Sequence, residues 1–280
     1  MINKRNTTLA YWLAVVLTFI FSIGPILWTL IISFTPENNM LQPGSIIPSN
    51  LILDNYAALL DSSSKISTVV LNGLGNSLYV SALTLVIGLP LAILAGYALA
   101  KLQFKGKSFI IGGILLTIPI PVFATIIPVY SLFRDMDLLN SMFWTAIIYC
   151  SSFLPLNIWI IMNYMKNIPD EIMQAAQIDG LSERQTFFRI ILPMSQPIVL
   201  TSALIMFLMS WKQYIIPMIL ISSPQNKMLT MIMSEFMTRD AIQYGNIAAA
   251  GMIAIIPPAI VAIVFRKFLI DGMTSSGIKQ

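Results

Sequence analysis

The chain has 280 residues, of which 57% are hydrophobic and only 10% charged, with a net charge of +4. Soluble globular chains carry about 25% charged residues, and a soluble domain this apolar could not cover its own surface, so the class is an integral membrane protein. The absence of histidine and the single cysteine, Cys150, exclude an internal disulfide and the usual zinc or thiol–imidazole sites.

Charge-free runs cover residues 6–36, 66–100, 108–133, 138–165, 190–211 and 241–265. A helix rising ~1.5 Å per residue needs roughly 20 residues to cross ~30 Å of hydrocarbon. The runs predict an all-α membrane protein with six spanning helices, at about 9–34, 72–98, 109–133, 142–165, 198–222 and 241–265. The runs do not alternate polar and apolar residues, as barrel strands would. The first is too long for a signal peptide and lacks a clear small-residue cleavage site, so it reads as a span.

After the first span comes the longest outer loop, 35–71, with turns marked by Pro36, Pro43, Gly44 and Pro48 and a short helix expected over Asn55–Leu60. Between the second and third spans, Lys105-Gly106-Lys107-Ser108 contains the GKS of a phosphate-binding loop. That loop also requires a glycine where Lys101 stands and a preceding strand, so the segment reads as a basic turn with no bound nucleotide. A second outer loop, 223–240, is rich in methionine (Met228, Met231, Met233, Met237), which suits either a protein contact or packing at the membrane surface. Prolines inside the spans, among them Pro119, Pro121, Pro155 and Pro217, fit packing kinks and moving hinges equally well.

Placing both termini in the cytoplasm puts eleven basic residues inside (Lys4, Arg5, Lys101, Lys105, Lys107, Lys166, Arg184, Arg189, Arg266, Lys267, Lys279) and four outside (Lys65, Arg134, Lys227, Arg239). The positive-inside rule selects this orientation. The basic balance therefore reports topology and implies no nucleic-acid partner.

The cytoplasmic loop 166–196, between spans four and five, is the polar exception. Pro169, Asp170 and Glu171 suit a helix start, and Gly180 after Asp179 fits the left-handed position that stops it. Ser182 with Gln185 matches a capping box for a second short helix. That helix carries Phe187, Phe188, Ile190 and Ile191 and is expected to end at Pro193. The aromatic side would anchor on the spans, leaving Gln174, Ala175, Ala176, Asp179 and Gly180 as a low-relief cytoplasmic surface. Such a knob serves either to dock a partner or simply to connect two spans.

Gln174-Ala175-Ala176, Asp179-Gly180 and Ile190-x-Leu192-Pro193 match in spacing, and the segment resembles the cytoplasmic EAA loop of ATP-binding-cassette importer permeases. Pro48, Asn55-Tyr56, Ser210-Trp211-Lys212-Gln213-Tyr214 and the ending Phe268…Gly272-Met273-Thr274…Gly277-Ile278-Lys279 extend the resemblance toward the smaller permease of maltose-type carbohydrate importers. The resemblance implies a permease subunit of a binding-protein-dependent sugar importer in a bacterial-type cell membrane. It would be multi-pass, with no catalytic, metal or nucleotide site of its own. Its implied partners are a second homologous permease, two ATPase subunits that hold ATP and magnesium, and an extracytoplasmic substrate-binding protein. The loop would be a coupling helix seated in an ATPase cleft through Glu171, Gln174, Ala175, Ala176, Asp179, Gly180, Leu181 and Arg184. In some relatives the tail, here 273–280, inserts between the ATPases. The family's glutamate is replaced by Gln174, and Glu171 lies one turn earlier on roughly the same face.

Lys212 is the only charge inside an expected span. An intramembrane lysine costs about 2.5–3.5 kcal/mol on insertion scales and usually faces a wet cavity or a partner; snorkelling of its stem is the other reading. With Trp211, Gln213, Tyr214 and Asn157 it forms the set of candidate pathway residues. Rival readings are an importer of a sugar-phosphate ester or polyol and, from another class, an ATP-independent secondary transporter.

Overall fold

The computed structural model describes residues 4–40, 50–61, 65–237 and 243–274. Pro43, Gly44, Pro48, Arg239, Gly277, Ile278 and Lys279, which the sequence singles out, lie outside these residues. In chain order the helices are α1 (Lys4–Ser33), α2 (Glu37–Met40), α3 (Asp54–Leu60), α4 (Lys65–Lys101), α5 (Lys107–Thr117), α6 (Val122–Asp135) and α7 (Met142–Lys166). Then come α8 (Asp170–Ile178), α9 (Glu183–Thr186), a π turn (Phe187–Ile191), α10 (Leu192–Met194), α11 (Gln196–Trp211), α12 (Ile215–Leu220), α13 (Leu229–Glu235) and α14 (Tyr244–Thr274). Every extended element among the described residues is helical.

Four helices are long and apolar enough to cross a membrane unbroken: Tyr11–Ser33 of α1, Ile66–Lys101 of α4, α7, and Tyr244–Arg266 of α14. They correspond to the expected first, second, fourth and sixth spans. The other two expected spans are broken. The third, 109–133, divides into α5 and α6 around Pro119 and Pro121, which supply no backbone N–H and clash with the carbonyl four residues back. The fifth, 198–222, divides into α11 and α12 at Lys212–Tyr214. Here Pro217 has no N–H to give to the Gln213 carbonyl. That carbonyl instead accepts from the Thr230 hydroxyl at 2.9 Å, so the break is built into the surrounding packing.

The chain forms two compact units. In the first, residues 1–71 with 232–256, the carbonyls at the end of α1 are taken up by a side chain: Asn55 Nδ2 donates to the Ser33 and Thr35 carbonyls at 3.0 and 3.1 Å. The Tyr56 and Ser33 hydroxyls lie 2.8 Å apart. The carboxylate of Glu37 accepts from the Tyr244 and Gly245 N–H groups at 2.9 and 3.1 Å, a negative charge at the positive end of α14. The Asn55–Tyr56 pair of the family-like pattern is thus a clamp on α1.

The second unit, residues 72–231 with 257–280, is organised around α7. Tyr149 and Phe153 of α7 pack with Val80, Phe133, Met206 and Ile216 in one cluster. Nearer the end of α7, Ile161 and Met165 pack with Tyr97, Ile168, Phe187 and Ile191 in another. The α4–α7 crossing is close at Gly96, where a Cβ would stand 2.7 Å from Ile161 Cγ2 and 3.2 Å from the Met162 backbone nitrogen. No side chain larger than hydrogen fits that approach.

Candidate functional site

The segment from Pro169 to Met194 folds as a two-part knob. α8 starts after Pro169 and ends in a Schellman motif. Gly180, at φ 77°, donates to the Gln177 carbonyl at 3.0 Å, and Leu181 donates to the Ala176 carbonyl at 2.9 Å. Ser182 and Gln185 form the full capping box that starts α9. One expected boundary is corrected: the helix does not stop at Pro193 but runs to Met194. The π turn lets Leu192 donate to the Phe187 carbonyl five residues back, a wider spacing that relieves the proline clash. The chain then bends by 73° into α11.

The second cluster of apolar residues is the seat of this knob, and a lysine pins it. Lys101, the last residue of α4, has a side chain only 2% exposed. Its ammonium donates to the Ile168 carbonyl and, at 2.6 Å, to Asp170 Oδ1 at the start of α8. The hydrogen bond from Lys101, then its charge, hold the Asp170 carboxyl below the usual carboxylate range; Lys107 adds a smaller charge effect in the same direction, against a slight desolvation. Lys107 also donates to the Leu102 carbonyl at 2.8 Å, closing the α4–α5 turn. Phe187 stacks obliquely on Tyr97 at 4.7 Å. Sequence reasoning counted Lys101 only as a topological charge, because a contact spanning 69 residues leaves no local pattern.

On the open side of the knob, Glu171, Gln174, Ala175, Asp179, Gly180 and Arg184 are exposed and Leu181 is half-buried. Ala176 is not on this face. It is 2% exposed, because in α8 it points with Ile172 and Met173 toward the seat. Phe188 also departs from the expected anchoring role: it is half-exposed beneath the Arg184 guanidinium, 5.9 Å away. Ile178, 87% exposed beside Gly180, is the apolar residue that the sequence left unassigned.

Residues 88–275 match the family model described as the binding-protein-dependent transport system inner membrane component. The chain belongs to that family. Among its relatives is the arabinooligosaccharides transport system permease protein AraQ of Halalkalibacterium halodurans, 28% identical over 284 residues with both chains fully covered. The trehalose transport system permease protein SugB of Mycobacterium tuberculosis is 27% identical, over 96% of this chain and 97% of the relative. In fold the chain is similar to a subunit of a bacterial ABC transporter involved in import of the acidic polysaccharide alginate. The TM-score is 0.80 at 20% identity, covering 96% of this chain and 99% of that one. A second alginate transporter structure, in complex with a pentasaccharide-bound periplasmic protein, superposes with a TM-score of 0.68 at 19% identity, over 94% of this chain and 93% of that one.

In this inner-membrane component the pathway candidates do not converge. Lys212 stands at the break, capping the C-terminus of α11, where a cation meets the negative end of the helix. Its side chain is exposed. Trp211 is buried, stacked on Phe207 at 5.8 Å. Gln213 folds back so that its Oε1 accepts from the Tyr214 N–H at 3.1 Å, and both residues are half-buried. Asn157 is sealed inside the chain: its amide donates to the Phe153 carbonyl at 2.8 Å, and its Oδ1 accepts from the Ser202 hydroxyl at 2.6 Å. It ties α7 to α11 and is fully buried.

Proposed function

We propose that the chain is the permease subunit of an ATP-driven importer of a sugar or oligosaccharide, forming half of the translocation pathway. Family membership and relatives named for arabinooligosaccharide and trehalose transport support the substrate class. A second homologous permease completes the pathway. Two ATPase subunits, holding ATP and magnesium, bind on the cytoplasmic side, and an extracytoplasmic binding protein delivers the sugar. Both termini are cytoplasmic, and the two broken spans each cross the membrane once as a pair of helices, giving six spans in all.

The observation that carries this reading is the knob itself. It is rigid by local chemistry, closed by a Schellman motif and a capping box. Lys101 and the Tyr97–Phe187 contact fasten it to α4. It presents Glu171, Gln174, Ala175, Asp179, Gly180, Leu181 and Arg184, with Ile178 at their edge, for an ATPase cleft. A partner pushing on such a knob would displace the ends of α4 and α7 rather than deform the loop. The test is purification of the tagged chain from native membranes in mild detergent. Recovery of an ATPase and a second permease is expected. A chain that comes out intact and alone would make the knob a connector and overturn the reading.

A further inference from the structure

Two polar joints sit on α4, one toward each end. At one end the Lys101 ammonium brings three helix ends together. It closes α4, donates to the Ile168 carbonyl just past α7, and donates at 2.6 Å to Asp170 in the first turn of α8. Each contact has the sign that a helix end favours: a cation at the two carbonyl ends, a carboxylate at the amide end. Toward the other end, Asn76 commits both protons of its amide to the segment that follows α12. It donates to the Gln225 and Lys227 carbonyls at 2.8 and 2.9 Å. Beside it, the buried Ser77 hydroxyl accepts from the Leu229 N–H at 3.0 Å.

Between these joints α4 runs unbroken, through Pro90. The helical rise from Asn76 to Lys101 is about 37 Å, more than the ~30 Å of hydrocarbon. On the topology proposed above, the two joints therefore stand on opposite sides of the membrane. Beside Lys101, the knob meets its seat through apolar surface: Ile172 and Met173 of α8 pack on the cluster that holds Tyr97, and Phe187 lies against Tyr97 itself. Apolar burial resists separation but is non-directional, so α8 could turn on that seat. Charge-assisted hydrogen bonds fix orientation as well as distance, and the two from Lys101 prevent the turn. The Asp170 side chain is 77% exposed, and an ion pair with so exposed a partner adds little to stability. A lysine buried to reach it is placed for position rather than for stability.

We infer that α4 is a strut between the two faces of the membrane. Lys101 is the positioning residue that fixes the knob to its inner end, and Asn76 is the one that fixes segment 225–229 to its outer end. Movement of the knob under the ATPase subunits reaches the outer segment through these two joints. The strut rests on the importer reading. The test is hydrogen–deuterium exchange on the complete co-purified complex, with and without ATP, magnesium and vanadate, reading peptides over 170–186 and 221–231. In the wild type both peptides should change their exchange rate on nucleotide trapping, by about threefold or more. Lys101→Met keeps the stem and removes the donors. Its knob peptide should still respond, while the outer peptide loses most of its response. Asn76→Ala should do the same from the other end. Asp170→Ala, at an exposed position, should lose part of the outer response, and it reads the same joint should Lys101→Met not assemble. A role confined to stability would lower the melting temperature and leave the nucleotide response of the outer peptide unchanged. The strut is overturned by a silent outer peptide in the wild type, or by a wild-type response in either Lys101→Met or Asn76→Ala; the importer reading survives both results. If no ATPase accompanies the wild-type chain, the importer reading falls and the strut falls with it.

Discussion

Gly180 isolates one physical quantity at the knob. Its φ of 77° is the left-handed conformation, and a Cβ built there meets nothing within 4 Å. A substitution therefore costs backbone conformation alone, about 1–2 kcal/mol for an ordinary L residue, or roughly a 5–30-fold loss in the population of the closed cap. Asparagine visits this conformation more readily than alanine, and a β-branched residue least of all. The expected order of retained function is Gly, Asn, Ala, Val. The assay is the amount of ATPase retained by the tagged chain in mild-detergent purification, with the melting temperature of the isolated chain as a control. The control should move little, because the cap lies outside both apolar clusters. Equal retention by Gly180→Asn and Gly180→Val would refute the reasoning: the cap would then be either irrelevant to docking or remodelled without cost.

Other consequences are open to direct measurement. Gly96→Ala forces a Cβ against Ile161 and the Met162 backbone; overpacking of this kind costs about 1–3 kcal/mol, and a lower melting temperature in detergent is expected. Ser202→Ala strips the buried Asn157 Oδ1 of its donor, a loss of about 1–3 kcal/mol that Asn157→Leu in the same chain should partly restore; a double variant less stable than Ser202→Ala would contradict the pairing. Gln174→Glu, on the exposed face of α8, should keep both ATPase retention and sugar uptake, and failure to assemble would remove Gln174 from the docking face. Because Lys101 lowers the folded pKa of Asp170, the contribution of this pair is present above the ordinary carboxylate range and is lost as pH falls through the depressed value. ATPase retention should therefore be flat from about pH 5 to 8, and a loss within that window would point to another group.

The parts of this protein that local chemistry dictates were legible along the chain. Long charge-free runs become helices because hydrocarbon leaves backbone polar groups no other partner, and α1, α4, α7 and α14 follow from that alone. The knob was equally legible, since Gly180, Ser182 and Gln185 act on neighbours within five residues. Prolines announced an irregularity but not its outcome. Pro155 and Pro257 sit inside continuous helices, whereas Pro121 and Pro217 accompany breaks. Tertiary structure decided between them: Thr230 can satisfy the Gln213 carbonyl only because the chain returns to it 17 residues later. The same holds for the burial of Asn157 and Ala176 and for Lys101 as the pin of α8. Each depends on which surfaces distant helices bring together, and periodicity within one segment carries no record of its neighbour.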